Sequence, residues 1–188
     1  MKKTELVYRY ILQEAESNRR KLSQSEIAKK LSISLSTVNH AMLPLRKMGA
    51  VSVKLRSFSL TDTRKVLMLW ASIRNLEKDV VYQTRSDMSV KEIEKTMPPD
   101  VIFAAYSAYR LAFKEAPADY SEVYVYGDEK EVKRRFPPKQ GPSNVFVLKK
   151  QFENMTKTQI FVDLWNLKEW YAKDYLNAME RRLDAILA

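Results

Sequence analysis

Ile27-Ala28-Lys29-Lys30-Leu31-Ser32-Ile33-Ser34-Leu35-Ser36-Thr37-Val38 has the pattern of two helices joined by a tight turn. Two helices meeting at a steep angle need a small residue at the crossing, and Ala28 fits. They also need apolar contacts on both sides of the turn, which Leu31 and Ile33 supply, and a buried aliphatic residue early in the second helix, here Val38. Met42 and Leu45 continue that inward face at helical spacing. Ser23-Gln24-Ser25-Glu26 reads as a capping box opening the first of these helices. Ser34 is placed to cap the second, which runs to about Met48, and Gly49 supplies its stop.

Working outward, Leu6, Val7, Tyr10 and Ile11 predict an amphipathic helix over about 3–16, followed by a polar break at Asn18-Arg19-Arg20-Lys21. After Gly49, Val51, Val53 and Leu55 alternate with Ser52, Lys54 and Arg56, the pattern of a strand. A turn near Arg56-Ser57 leads into a return strand carrying Phe58 and Leu60. A further helix from Thr61 shows Val66, Leu69, Trp70, Ile73 and Leu76 on one face. The polar stretch at 77–79 predicts a domain boundary, giving domains 1–79 and 80–188.

Ala28-x-x-Leu31-x-Ile33-Ser34-x-Ser36-Thr37-Val38, then Leu45 and Gly49-x-Val51, resembles the winged helix-turn-helix of many bacterial and archaeal transcription regulators. The resemblance covers residues 5–76. Two positions depart from the pattern: Ser32 stands where glycine is common, and Pro44 lies inside the third helix, removing the bond to the His40 carbonyl. With Val38, Met42 and Leu45 inward, Ser36, Thr37, Asn39 and His40 face outward on the half-helix that enters a major groove in this class. Asn39 can pair with adenine through two hydrogen bonds, and Ser36 and Thr37 can reach phosphates or base edges. Ser34, Arg46 and Lys47 complete the candidate surface on the helix. Lys54 and Arg56 sit at the wing tip, and Arg19, Arg20 and Lys21 are either a phosphate clamp or a solvated loop.

Charge agrees with that reading. The 188 residues carry a formal net charge of +10, with 45% apolar and 30% charged residues. Residues 1–79 hold 16 Lys/Arg against 7 Asp/Glu, and residues 80–188 hold 17 against 16. A basic half beside a neutral half points to a polyanion-binding surface on the basic one. With no cysteine, one histidine and three scattered glycines, disulfide frameworks, thiolate zinc sites and Gly-rich phosphate loops are excluded. No apolar run is long enough to span a bilayer, and the first ten residues lack a signal-peptide core, so a cytoplasmic protein without membrane contact is expected.

The second half reads as strands at 80–84, 122–126, 144–148 and 158–164. Helices are expected near 90–97, 108–113 and 129–136, with a long last helix over 167–187. Residues 101–105 read as a strand or a helix start. Trp165, Ala172, Leu176, Met179, Leu183 and Ile186 are in register on the last helix. The fold class is therefore α+β, a winged helix-turn-helix domain followed by a mixed α+β domain. Element order, Ser107-Ala108 and the string Gln159–Leu164 resemble the DNA-binding antitoxins of type IV toxin–antitoxin systems. That resemblance implies an autorepressing regulator whose second domain binds a cognate partner protein or small-molecule effector. Tyr106, Tyr109, Tyr120, Tyr124, Tyr126, Trp165, Trp170 and Tyr171 suit a core plus an interface. Trp170, Tyr171 and Tyr175 either flank a homodimer interface or fold into their own core.

A catalytic alternative is weaker. A metal-dependent nuclease needs a carboxylate and then Asp/Glu-x-Lys on adjoining strands. Asp100 and Glu131-Val132-Lys133 match literally, but the latter falls in a predicted helix, and Asp163 has no evident carboxylate partner. The expectation is a transcriptional regulator of double-stranded DNA, not an enzyme and without cofactor or metal.

Overall fold

In this computed structural model residues 1–187 are described, with side chains through Leu183. The chain divides into two compact units, Met1–Arg74 together with the C-terminal end from Arg182, and Asn75–Arg181.

The first unit opens with α1 (Lys3–Glu16), followed by β1 (Lys21–Leu22), α2 (Gln24–Leu31) and α3 (Leu35–Lys47). Strands β2 (Val51–Val53) and β3 (Phe58–Leu60) and helix α4 (Thr63–Ile73) complete it. Val7, Ile11, Leu12, Ile27, Val38, Met42, Leu45, Val66 and Trp70 are wholly buried and come from all four helices, so one core holds them together. The Tyr8 hydroxyl donates to the Ala41 carbonyl at 3.0 Å, tying α1 to α3. Glu5 and Arg74 form an ion pair at 3.4 Å with side chains 4% and 1% exposed, linking the two ends of the unit. Removing one partner of such a pair leaves a buried charge uncompensated.

Ser32 settles the angle between α2 and α3. It is left-handed (φ 51°, ψ 44°), the Ser32 amide donates to Lys29 and the Ile33 amide donates to Ala28. These are the two bonds of a Schellman turn, which satisfies carbonyls at the end of α2. The glycine expected at such a site is replaced by a residue with a Cβ, so the turn carries strain. Pro44 does not end α3, which continues to Lys47.

The capping box expected at Ser23–Glu26 is only half made. Ser23 Oγ accepts from the Glu26 amide at 3.2 Å, but the Glu26 carboxylate pairs with Arg19 instead of returning to the cap. The polar break also hides a strand, because Lys21 and Leu22 pair with Ser59 and Phe58 at the edge of a three-stranded antiparallel sheet ordered β1-β3-β2. Leu55 departs from the expected alternation as well: β2 ends at Val53, and Leu55 lies in the turn, 98% exposed.

In the second unit a single 3-10 turn (Glu77–Asp79) precedes β4 (Val80–Thr84), α5 (Val90–Thr96), β5 (Ile102–Phe103) and α6 (Ala105–Phe113). Then come β6 (Val123–Gly127), α7 (Glu129–Arg135), β7 (Val145–Lys149), α8 (Lys157–Trp165) and α9 (Ala172–Leu187). The sheet order is β4-β7-β6-β5, with β6 and β7 parallel and the other pairs antiparallel. Ile93 and Met97, with Val132 and Phe136, pack on Val123, Val125, Val145 and Val147 on one face. Tyr124 and Tyr126 point to the other. Because both faces are covered, residues 123–126 are buried without alternation, as expected for a central strand with a parallel neighbour.

Residues 158–164, expected as a strand, are instead the helix α8. Thr156 Oγ1 accepts from the Gln159 amide at 3.1 Å as its cap, and Gln159 Nε2 donates to Asp163 Oδ1 one turn on at 2.7 Å. The Tyr126 hydroxyl donates to the same oxygen at 2.8 Å. Ile160, Phe161, Val162 and Leu164 are all buried, so no polar side reveals the 3.6-residue period. The last helix starts at Ala172 rather than 167, after a turn in which the Leu167 amide bonds to Leu164 and the Ala172 amide to Glu169. Trp165 therefore belongs to α8, and the Ile186 side chain lies outside those described. The aromatic flank resolves as core: Tyr171 and Tyr175 are buried, and only Trp170, at 81% exposed, faces outward. Tyr175 meets the rings of Tyr106, Tyr109 and Tyr120 at centroid distances of 4.9, 5.3 and 6.0 Å and donates to the Ala118 carbonyl at 2.7 Å.

Two stability outcomes follow. Ser32→Gly relieves the left-handed strain, offset in part by the looser unfolded chain, and raises stability by about 0.5–1 kcal/mol in thermal melting. Tyr175→Phe loses one hydrogen bond and costs about 1 kcal/mol, whereas Tyr175→Glu buries a carboxylate among rings and abolishes the cooperative melt of the second unit.

Candidate nucleic-acid interface

Helix α3 starts at Ser34, whose Oγ accepts from the Thr37 amide at 3.1 Å and lies 2.8 Å from the Thr37 hydroxyl. Both hydroxyls are thus engaged in holding the helix start. What they offer an incoming phosphate is a fixed helix N-terminus more than free side chains. Ser36, Asn39 and His40 are exposed, with Val38, Ala41, Met42 and Leu45 buried on the opposite side. Helical periodicity therefore puts the polar triplet on the surface as the sequence predicts.

Arg46 has a different place from the one expected. It is half-buried, and its Nη2 donates to Asn39 Oδ1 at 3.2 Å, two turns back along the same face. The guanidinium fixes which end of the Asn39 amide is oxygen and leaves its NH2 out of this bond. The Oδ1 atom keeps a second lone pair, so Asn39 retains the donor and acceptor needed to pair with adenine. Arg46 is thus tied to the exposed Asn39 amide on its own helix face. Sequence reasoning could have found this from the seven-residue spacing, which returns to the same helix face after two turns.

Lys47 is exposed at the C-terminal end of α3. In the wing, β2 and β3 pair Val51 with Leu60, Ser52 with Ser59 and Val53 with Phe58. The Lys54 amide donates to the Ser57 carbonyl at 2.7 Å, closing a tight tip in which Lys54, Leu55 and Arg56 are all exposed. No acidic residue lies among these tip residues, so both cations remain available to phosphates. Leu35 and Leu43 on α3 are also exposed. They leave exposed apolar area on the helix that the polar and charged pattern did not signal.

Arg19, between α1 and β1, meets carboxylates of its own unit. It bonds Glu14 at 2.7 Å and also Glu26, so its charge is compensated within the unit. The nuclease alternative needs Glu-x-Lys on a strand, whereas Glu131 and Lys133 lie on the helix α7. Asp100 lies in an exposed turn, and Glu131 on α7 accepts from Arg134 at 2.5 Å. Among the described residues no group of three or more acidic or histidine side chains forms a metal site, and no helix is long and apolar enough to cross a membrane.

A family model described as winged helix-turn-helix DNA-binding matches residues 9–52, from α1 through the first strand of the wing. No curated protein and no solved structure matches the chain. The cap defines the prediction here: Ser34→Ala removes the acceptor for the Thr37 amide and destabilises the fold by about 1 kcal/mol in thermal or urea unfolding.

Proposed function

Since residues 9–52 form a winged helix-turn-helix DNA-binding domain, we propose that the chain is a cytoplasmic, sequence-specific regulator of transcription acting on double-stranded DNA. The observation that carries this reading is the Asn39–Arg46 pair. A guanidinium is used to orient an exposed amide on the outer face of α3, an arrangement suited to reading a base edge. Phosphate grip falls to Lys47, Lys54 and Arg56. The excess charge of residues 1–79 supplies the long-range attraction.

One such helix reads few base pairs, so the regulator acts as a homodimer on paired half-sites. The second unit is its effector- or partner-binding part. An autorepressing antitoxin role rests on the sequence resemblance of residues 80–188 alone.

The test is duplex binding by the full chain across salt. Affinity falls by about two orders of magnitude or more between about 50 and 200 mM salt if several phosphates are neutralised. A flat response overturns the reading. Asn39→Ala costs about 1–3 kcal/mol on the preferred site and relaxes base preference. Arg56→Ala weakens all sequences alike and lowers the salt slope by about one. Uniform loss in both variants would remove Asn39 as the base reader.

A further inference from the structure

The second unit contains a cleft of about 670 Å³, a size that takes a small organic molecule. Its floor is the Tyr124–Phe146 pair, cross-strand neighbours on β6 and β7 whose rings stack at 4.5 Å and 11°. Leu76 and Val81 add apolar wall.

The charged groups are few and unequal. Glu169 is held by three donors: Tyr124 to Oε1 at 3.0 Å, Tyr106 to Oε2 at 3.0 Å and the Lys168 amide to Oε2 at 3.1 Å. Burial first, and the Glu169 carboxylate second, push both phenols far above their ordinary range, so they stay protonated donors at any physiological pH. A carboxylate has about four acceptor positions, and three are used. The cation in the lining, Lys168, is met by Glu77 at 3.5 Å. Behind Glu169, the Glu122 carboxyl is raised by burial and then by Glu169 itself, the sign of a second acid within its field. A chain with a net charge of +10 thus keeps a negative spot over an aromatic floor.

We propose that this cleft binds a small organic cation, an amine or guanidine carrying a flat apolar group, with its charge on Glu169 and its apolar part on Tyr124 and Phe146. Carboxylate and ring reinforce each other for such a ligand, because an ammonium is drawn both to Glu169 and to the aromatic surface. Anions meet Glu169 with the compensating Lys168 already engaged. Asn75, Leu76 and Glu77 line the same cleft and are the first residues of the unit, so an occupant touches the segment that follows the DNA-binding unit in the chain.

Calorimetric titration of the full chain without DNA tests this independently of any DNA result. The probes are tryptamine and indole-3-propionate, which share a ring system and differ in charge. Tryptamine binds, and indole-3-propionate binds about tenfold more weakly or not at all. Glu169→Gln keeps one acceptor oxygen for a phenol, lets the other phenol oxygen accept from its NH2, removes the negative charge and lowers tryptamine affinity about tenfold. Val81→Trp fills the cleft from its exposed wall, leaves the Tyr–Glu169 bonds intact and abolishes tryptamine binding at an unchanged melting temperature. Equal binding of the two probes, preference for the anion, no binding of tryptamine at millimolar concentration, or full binding by a folded Val81→Trp chain overturns the proposal.

Discussion

At Ser32 the backbone turns left-handed, and the amides of Ser32 and Ile33 close onto the Lys29 and Ala28 carbonyls of α2. That short turn decides where α3 points, since α2 and α3 share the buried Ile27, Val38 and Met42 and cannot rotate independently once the core is packed. Ser34 then starts α3 two residues later, with its hydroxyl on the Thr37 amide. The outward direction of Ser36, Asn39 and His40 follows from these constraints. Tyr8, reaching from α1 to the Ala41 carbonyl, fixes the same helix from behind.

The first unit separates two uses of arginine. Arg74 is buried against Glu5 and joins the ends of the unit, where a planar cation with several donors can satisfy what it displaces from water. Arg46 lies at the surface margin and spends one donor on Asn39, which holds a flexible, exposed amide in one orientation. Fixing a contact group beforehand reduces the ordering cost of binding. Lys54 and Arg56, on an exposed tip without acidic residues, are held by no such partner.

The second unit is built around phenol–carboxylate pairs. Tyr106 and Tyr124 donate to Glu169, Tyr126 donates to Asp163, and Arg110 and Tyr120 share Glu94. Each pairing allows a large ring to be buried without stranding its hydroxyl. The same arrangement places a fixed carboxylate beside the Tyr124–Phe146 stack, giving the cleft both its apolar floor and its negative end.

Residue order alone carried the winged domain, the exposed face of α3 and the strand positions of β6 and β7. These features are local: caps, turns and amphipathic periods are written in residues a few positions apart. Where the pattern failed, tertiary burial had removed it. Residues 157–165 are buried on nearly every side because the helix is enclosed, and their Ile and Val content imitates a strand. The Thr156-x-x-Gln159 cap was the local sign that they are helical. Lys21 and Leu22 became a strand only because β3 lay beside them, and no two-residue segment carries a period of its own. Tyr175 became core rather than interface because Tyr106, Tyr109 and Tyr120 converge on it from other segments. The pairing of Glu26 with Arg19 in place of its own cap was likewise decided in three dimensions. A side chain's nearest partner in space is set by packing, and spacing along the chain constrains it only within a turn or two of helix.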